Sequence, residues 1–159
     1  MSSGAHGLIG DLAAARDEFF STLDAIDPRD LNAAGLIGEW GARELVAHLG
    51  YWTGHAVEII HAVESGRGGE GAMNRSSVDE VNATVARVAR QTDLARVRKR
   101  EAASAQALVE RLGAIDPALL SERLPDGATL EEGIIEDGSA HYREHLAELR
   151  LRGMTDEPH

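Results

Sequence analysis

Seven histidines occur in this 159-residue sequence, at positions 6, 48, 55, 61, 141, 145 and 159. Two of them, His141 and His145 in "AHYREHL", stand four residues apart. On a helix such a pair shares one face, with Cβ atoms about 5–6 Å apart, close enough to hold one metal ion. His48 lies in the most apolar stretch of another segment, "ELVAHLGYW". A buried imidazole needs a hydrogen bond or a metal, because burial without either costs a few kcal/mol. Three imidazoles from two helices would make a three-ligand site with open positions, the arrangement of catalytic rather than structural metal centres. Imidazole nitrogen suits Zn, Ni, Fe or Cu, and the residue types do not choose among them. The competing reading is that all three rings only hydrogen-bond.

The remaining histidines are placed less well. His55 shares the face of His48 but is two turns along, about 10 Å by helical rise. His61 falls on the opposite face, and His6 and His159 lie near the ends. "HYREH" also fits H-x-x-E-H, the inverted zinc-protease motif, with Glu144 as the base. That motif needs a further acidic ligand well downstream, and 14 residues follow His145. Glu144 is rotated off the histidine face and reads as solvated. Glu148, three residues after His145, falls nearer that face and is placed to orient an imidazole through a hydrogen bond. Trp40 and Trp52 bracket the His48 segment and read as core or as pocket walls. "RVRKR", residues 96 to 100, reads as a solvated face or as an anchor for an anionic substrate. "SGRGGEG" lacks the Gly-Lys-Ser/Thr of a phosphate loop and reads as a connection between helices.

These residues are carried by segments whose apolar spacing is helical throughout. Leu8, Leu12, Ala15, Phe19, Leu23 and Ile26 form the first stripe, stopped by Asp27-Pro28. Leu45, His48, Leu49, Trp52, Ala56, Ile59, Ile60 and Val63 form the second. Ser77 with Glu80 reads as a capping box opening a shorter helix to about Arg90. Leu94, Val97, Glu101, Ala105, Leu108, Leu112 and Ile115 form the third long stripe, ended by Asp116-Pro117. Thr129 with Glu132 caps a fourth segment running to about Arg152. The long helices are expected near 5–26, 42–64, 93–114 and 130–152, packed as one all-α four-helix bundle. "AIDPRDL" and "AIDPALL" end the first and third segments, and each precedes a helix with histidine on its apolar stripe. Two similar helical hairpins, or one common helix stop used twice, explain this equally well.

Composition narrows the function. A formal charge of -11 argues against nucleic acid or an anionic membrane as the main partner. With no cysteine, disulfides, thiolate zinc sites and cysteine nucleophiles are excluded. The first 20 residues lack a basic region and an unbroken apolar stretch, so they do not read as a signal peptide. No apolar run approaches the roughly 20 residues of a membrane span. The expectation is a cytoplasmic protein with one domain over 1–159 and loose ends at 1–4 and 153–159. Fifteen arginines against the single Lys99 suit a GC-rich bacterial genome.

"IGEWGARELVAHLGYW", in which a tryptophan precedes a helix with histidine and then tryptophan four later, joins the terminal "HYREHLAEL". Together they resemble the DinB/YfiT-like superfamily, which includes the N-terminal domain of mycothiol-dependent maleylpyruvate isomerase. The resemblance covers essentially the whole chain. It implies a DinB-like four-helix bundle with a short extra helix between the second and third long helices. It also implies a divalent metal ion held by His48, His141 and His145. Two departures stand out: Gly41 replaces the usual Ser or Thr cap, and nothing corresponds to the isomerase's C-terminal domain. What the resemblance implies is a metal-dependent enzyme, either a thiol-dependent S-transferase or isomerase, or a hydrolase. A metal-activated thiol or water would be the nucleophile. Without cysteine the thiol would come from a low-molecular-weight cosubstrate such as mycothiol. The alternative is a non-enzymatic metal- or small-molecule-binding stress or resistance protein. Family habit also implies a homodimer.

Overall fold

The apolar stripes fold into the helices their spacing predicts, in a computed structural model that describes residues 4–31, 33, 35–67 and 77–155, with side chains to Arg152. The first stripe lies on α1, Gly4–Asp24, and buries Leu8, Leu12, Ala15, Phe19 and Leu23. The chain then forms α2, Pro28–Leu31, and reaches α3, Ala42–Glu64, which carries His48. A shorter α4, Val78–Arg90, precedes α5, Leu94–Ala114. A 3-10 turn at Pro117–Ser121 leads to α6, Leu130–Asp137, and α7, Ser139–Thr155, which carries His141 and His145. Apart from isolated bridges joining Ile37 to Trp40 and Arg123 to Thr129, the regular structure of the described residues is helical. None of these helices is long and apolar enough to cross a membrane.

The predicted starts are made by side chains that accept backbone N–H groups left free at a helix N-terminus. Ser77 accepts from Glu80, Asp93 from Arg96 and Thr129 from Glu132. Gly41 has no side chain to offer, and Glu44 compensates by accepting the Gly41 N–H with its own carboxylate. The two Asp-Pro stops are also starts. Asp27 accepts from the Arg29 N–H and Asp116 from the Ala118 N–H, at 2.9 and 3.0 Å, so each proline opens a short helical turn.

The fourth segment departs from the single helix expected over 130–152. It breaks at Gly138, whose N–H reaches Ile134 O at 2.9 Å. A Cβ there would lie 2.8 Å from that same oxygen, so only glycine fits the break. α7 then restarts on the Gly138 carbonyl, which accepts from the N–H groups of His141 and Tyr142. It also continues through Gly153 to Thr155, past the expected end, since a glycine in a terminal turn costs only about 1 kcal/mol against alanine. Of the loose ends expected at 1–4 and 153–159, residues 1–3 and 156–159 lie outside the described residues, as does 68–76 of the glycine-rich connection.

α3 packs on α5 and α4, α1 on α7, and α6 on both α3 and α7. This arrangement brings the His48 and Thr53 side chains of α3 within hydrogen-bond reach of His141 and Tyr142 on α7. The core between them is aliphatic, with Leu45, Leu49, Ile60, Leu108, Leu112, Leu130 and Leu146 buried.

Candidate metal centre

His48 projects from α3 because Leu45 and Leu49, on either side of it, are fully buried and fix that face inward. His141 and His145 project from α7 one turn apart, their rotation set by buried Tyr142, Leu146 and Leu149. His48 meets both other rings edge to face, and His141 and His145 are tilted to each other by 57°. Ring centroids are 4.6 Å apart for His48 and His141, 5.1 Å for His48 and His145, and 4.8 Å for His141 and His145. Their Nε2 atoms converge: His48 to His141 is 2.8 Å and His145 to His141 is 3.1 Å.

Hydrogen bonding alone does not satisfy this cluster. An imidazole nitrogen carries either one N–H or one in-plane lone pair. The Nε2 of His141 therefore serves only one of its two Nε2 neighbours. A cation centred among three lone pairs serves all of them, and tetrahedral zinc with Zn–N of about 2.0–2.1 Å would set N···N near 3.3 Å. The observed separations need only a slight opening of the rings. Burial keeps the imidazoles of His48 and His141 neutral, as ligands must be. His48 is pushed down to about 4, first by burial and then by His145. His141 is pushed down to about 3, first by burial and then by the neighbouring imidazoles His48 and His145. The donor set therefore fits one divalent ion.

Around the rings, Glu148 lies 3.2 Å from the Nδ1 of His145, which holds that ring with Nε2 turned to the cluster. The Nδ1 atoms of His48 and His141 are buried with no hydrogen-bond partner among the described residues. Trp40 packs its ring on His48, centroids 4.8 Å apart. A cleft of about 270 Å³ opens over His48 and His141, walled by Trp52, Val78, Asn82, Glu136, Asp137 and Glu144. Glu144 is exposed, yet its place on this wall puts it beside the cluster. His61 is exposed on the far side of α3. His55 joins Asp137 at 2.7 Å instead of the cluster.

Two features escaped the sequence reading. Asn82 reaches the cleft from α4 and accepts from the Trp52 indole N–H at 2.9 Å; an isolated asparagine on an amphipathic helix gives no signal. Tyr142 and Glu101 form a polar network with Arg16 inside the bundle. Here a signal existed, because Glu101 falls on an otherwise apolar stripe. None of the residues 96–100 lines the histidine cleft: Arg98 pairs with Asp24 at 2.6 Å, and Arg100 borders a separate cleft between α3, α4 and α5.

Among solved structures, the crystal structure of an uncharacterised protein from Escherichia coli UTI89 matches with a TM-score of 0.79. The match covers 98% of this chain and 96% of that one at 15% identity, so the likeness is one of fold. Comparison with curated proteins gives no match. The family model described as mycothiol maleylpyruvate isomerase N-terminal domain matches residues 12–147, a span that contains all three clustered histidines. The chain therefore belongs to the mycothiol maleylpyruvate isomerase N-terminal domain family, with the DinB-like helical fold.

Proposed function

We propose that this protein is a divalent-metal-dependent enzyme in which His48, His141 and His145 hold the ion and a low-molecular-weight thiol is the nucleophile. The convergence of three imidazole Nε2 atoms beneath an open cleft carries the reading. When bound, the ion supplies Lewis-acid chemistry, lowering the pKa of a thiol or water so that it attacks at neutral pH. The chain's own residues do the rest. Glu148 orients His145, Trp40 packs against His48, and Trp52 with Asn82 shapes the wall on which a cosubstrate lies. The chain has no cysteine, so a thiol nucleophile has to enter from solution. The family match supports a thiol of the mycothiol type, acting in transfer or isomerisation.

The test pairs elemental analysis of the purified protein with an assay for electrophile consumption in the presence and absence of mycothiol. One equivalent of metal, lost in His48→Ala, together with thiol-dependent turnover is the expected result. Metal without turnover leaves a binding protein, such as a stress or resistance factor. A metal-free protein that stays empty when offered zinc, nickel or iron leaves an ordinary helical bundle.

A further inference from the structure

α4 packs on α3 rather than on α5, although only residues 91–93 join it to α5. The three helices leave between them a cleft of about 340 Å³, which shares no lining residue with the histidine cleft. Its floor is closed where α3 and α5 touch: a Cβ at Gly50 would lie 3.1 Å from the Glu101 Cα. Val85 and Val88 of α4 and Val97 of α5 supply apolar walls. Val97 is buried, whereas Val88 is 51% exposed, a large apolar side chain left in water. A concave, mainly apolar space of this size is that of a small-molecule site.

One charge in this lining stands free. Arg100 is exposed and makes no hydrogen bond, ion pair or ring contact among the described residues. The other charged member, Glu101, is 1% exposed, and its carboxylate is already held inside the bundle by Arg16 and Tyr142. It has nothing left to offer Arg100. In a chain of formal net charge -11, the basic run at 96–100 thus sets an unpaired cation beside an apolar cleft. The planar fork of a guanidinium matches a carboxylate through two parallel hydrogen bonds. One such charge balances a monoanion. A phosphate ester or a polyanion would bring negative charge that the lining does not balance and the acidic surface repels.

We propose that this cleft is a second binding site, for an apolar monocarboxylate whose carboxylate pairs with Arg100 and whose hydrocarbon body lies against Val85, Val88 and Val97. Binding takes the apolar surface of Val88 out of water and gives the guanidinium a partner. These two contributions come from different parts of the ligand, so each can be removed separately. The site stands apart from the metal centre and does not depend on it.

The test titrates the isotope-labelled protein with hexanoate, hexan-1-ol and hexylamine, with nuclear magnetic resonance shifts locating the site and giving the affinities. Hexanoate should move the amide signals of Val85, Val88, Val97 and Arg100. It should bind about fivefold more tightly than the alcohol, the upper scale of a partly exposed charge pair, and the amine should bind least. Arg100→Gln removes an exposed, unpaired side chain, so the fold should survive, and hexanoate should fall level with the alcohol. Val88→Ser should weaken acid and alcohol alike. An alcohol that binds the parent as tightly as the acid, or an acid preference that survives Arg100→Gln, overturns the proposal. So does hexanoate that fails to saturate, or that shifts His48, His141 and His145 instead of the cleft between α3, α4 and α5. None of these results touches the metal reading, which metal content tests separately.

Discussion

Tyr142 donates its hydroxyl to the Glu101 carboxylate in the middle of the bundle, one residue from His141. Tyr142 is 0% and Glu101 1% exposed, and Arg16 closes the carboxylate from the other side with bonds of 2.6 and 2.7 Å. Burial, reinforced by the adjacent carboxylate, pushes the phenol well above its usual range, so it stays a donor. The contact ties α7 to α5 and thereby fixes which way His141 and His145 face. Tyr142→Phe keeps the edge contact with Phe19 and removes only the hydroxyl. It should cost about 1.5–3 kcal/mol, the range for a hydrogen bond to a charged group, while Arg16 still donates to the same carboxylate oxygen. Glu101→Ala should cost more, about 3 kcal/mol, at the low end for a broken buried pair because Arg16 is 25% exposed. Urea unfolding of the two variants checks the order, and a Tyr142→Phe protein as stable as the parent would remove the network's structural role.

Metal retention separates the histidines. His48 alone links α3 to the pair on α7. His48→Ala leaves His141 and His145, a local pair with no ligand from the second helix, and should lose the ion. His55→Ala removes a partner of Asp137, and His61→Ala an exposed ring, so both should keep it. The readouts are metal-to-protein stoichiometry and melting with and without chelator. An ion that binds only the folded state adds about 2.7 kcal/mol when present at a hundred times its dissociation constant. The parent should therefore lose stability to chelator, and His48→Ala should not. Metal lost in His61→Ala but kept in His48→Ala would reverse the assignment.

Gly138 offers a test of how the histidine pair is positioned. A Cβ there meets the Ile134 carbonyl oxygen at 2.8 Å, and a backbone atom cannot turn aside as a side chain would. Either the end of α6 or the start of α7 must shift. Gly138→Ala should cost about 1–3 kcal/mol, the range for overpacking, and should also weaken metal binding because the His141 N–H hangs on the Gly138 carbonyl. Gly10 is the control. It is exposed within α1 with nothing within 4 Å of an added Cβ, so Gly10→Ala should stabilise by about 0.5–1 kcal/mol. Denaturant midpoints of the two variants should move in opposite directions.

The helices were legible because burial follows the stripes, with Trp52 half-buried: Leu8 to Leu23 on α1, Leu45 to Val63 on α3, Val97 to Leu112 on α5. Spacing also put His141 and His145 on one face, and the apolar setting of His48 marked it as inward. Other features are set by packing between segments distant in sequence. The break at Gly138 is invisible to periodicity, because the stripe continues through it from Ile134 to His141 and only the close approach to Ile134 O excludes a side chain. Asn82 and Asp137 enter the cleft wall because α4 and the end of α6 lie beside α3, a placement no local pattern encodes. The Asp-Pro pairs signalled the ends of α1 and α5 correctly, yet gave no warning that each aspartate would also start a new turn.

Glu148 provides the subtlest test, since it touches the cluster only through His145. Its Oε2 lies 3.2 Å from the His145 Nδ1, and its side chain is 38% exposed. A carboxylate at that position fixes the tautomer with the proton on Nδ1, leaves the Nε2 lone pair toward His141, and raises the basicity of the ring. Glu148→Gln keeps the length and a carbonyl oxygen able to accept the same bond, but removes the charge. Glu148→Ala removes both. Loss of such a partner typically weakens metal binding about 10–100-fold. Half-exposure places Glu148→Ala near the lower end, about tenfold, with Glu148→Gln between it and the parent. Stability without metal should barely change, because an exposed pair contributes about 0–1 kcal/mol. Competition with a zinc-chelating dye gives the affinities, and urea unfolding in chelator gives the stabilities. Equal zinc affinity in all three proteins would show that Glu148 is a surface residue with no part in the metal centre.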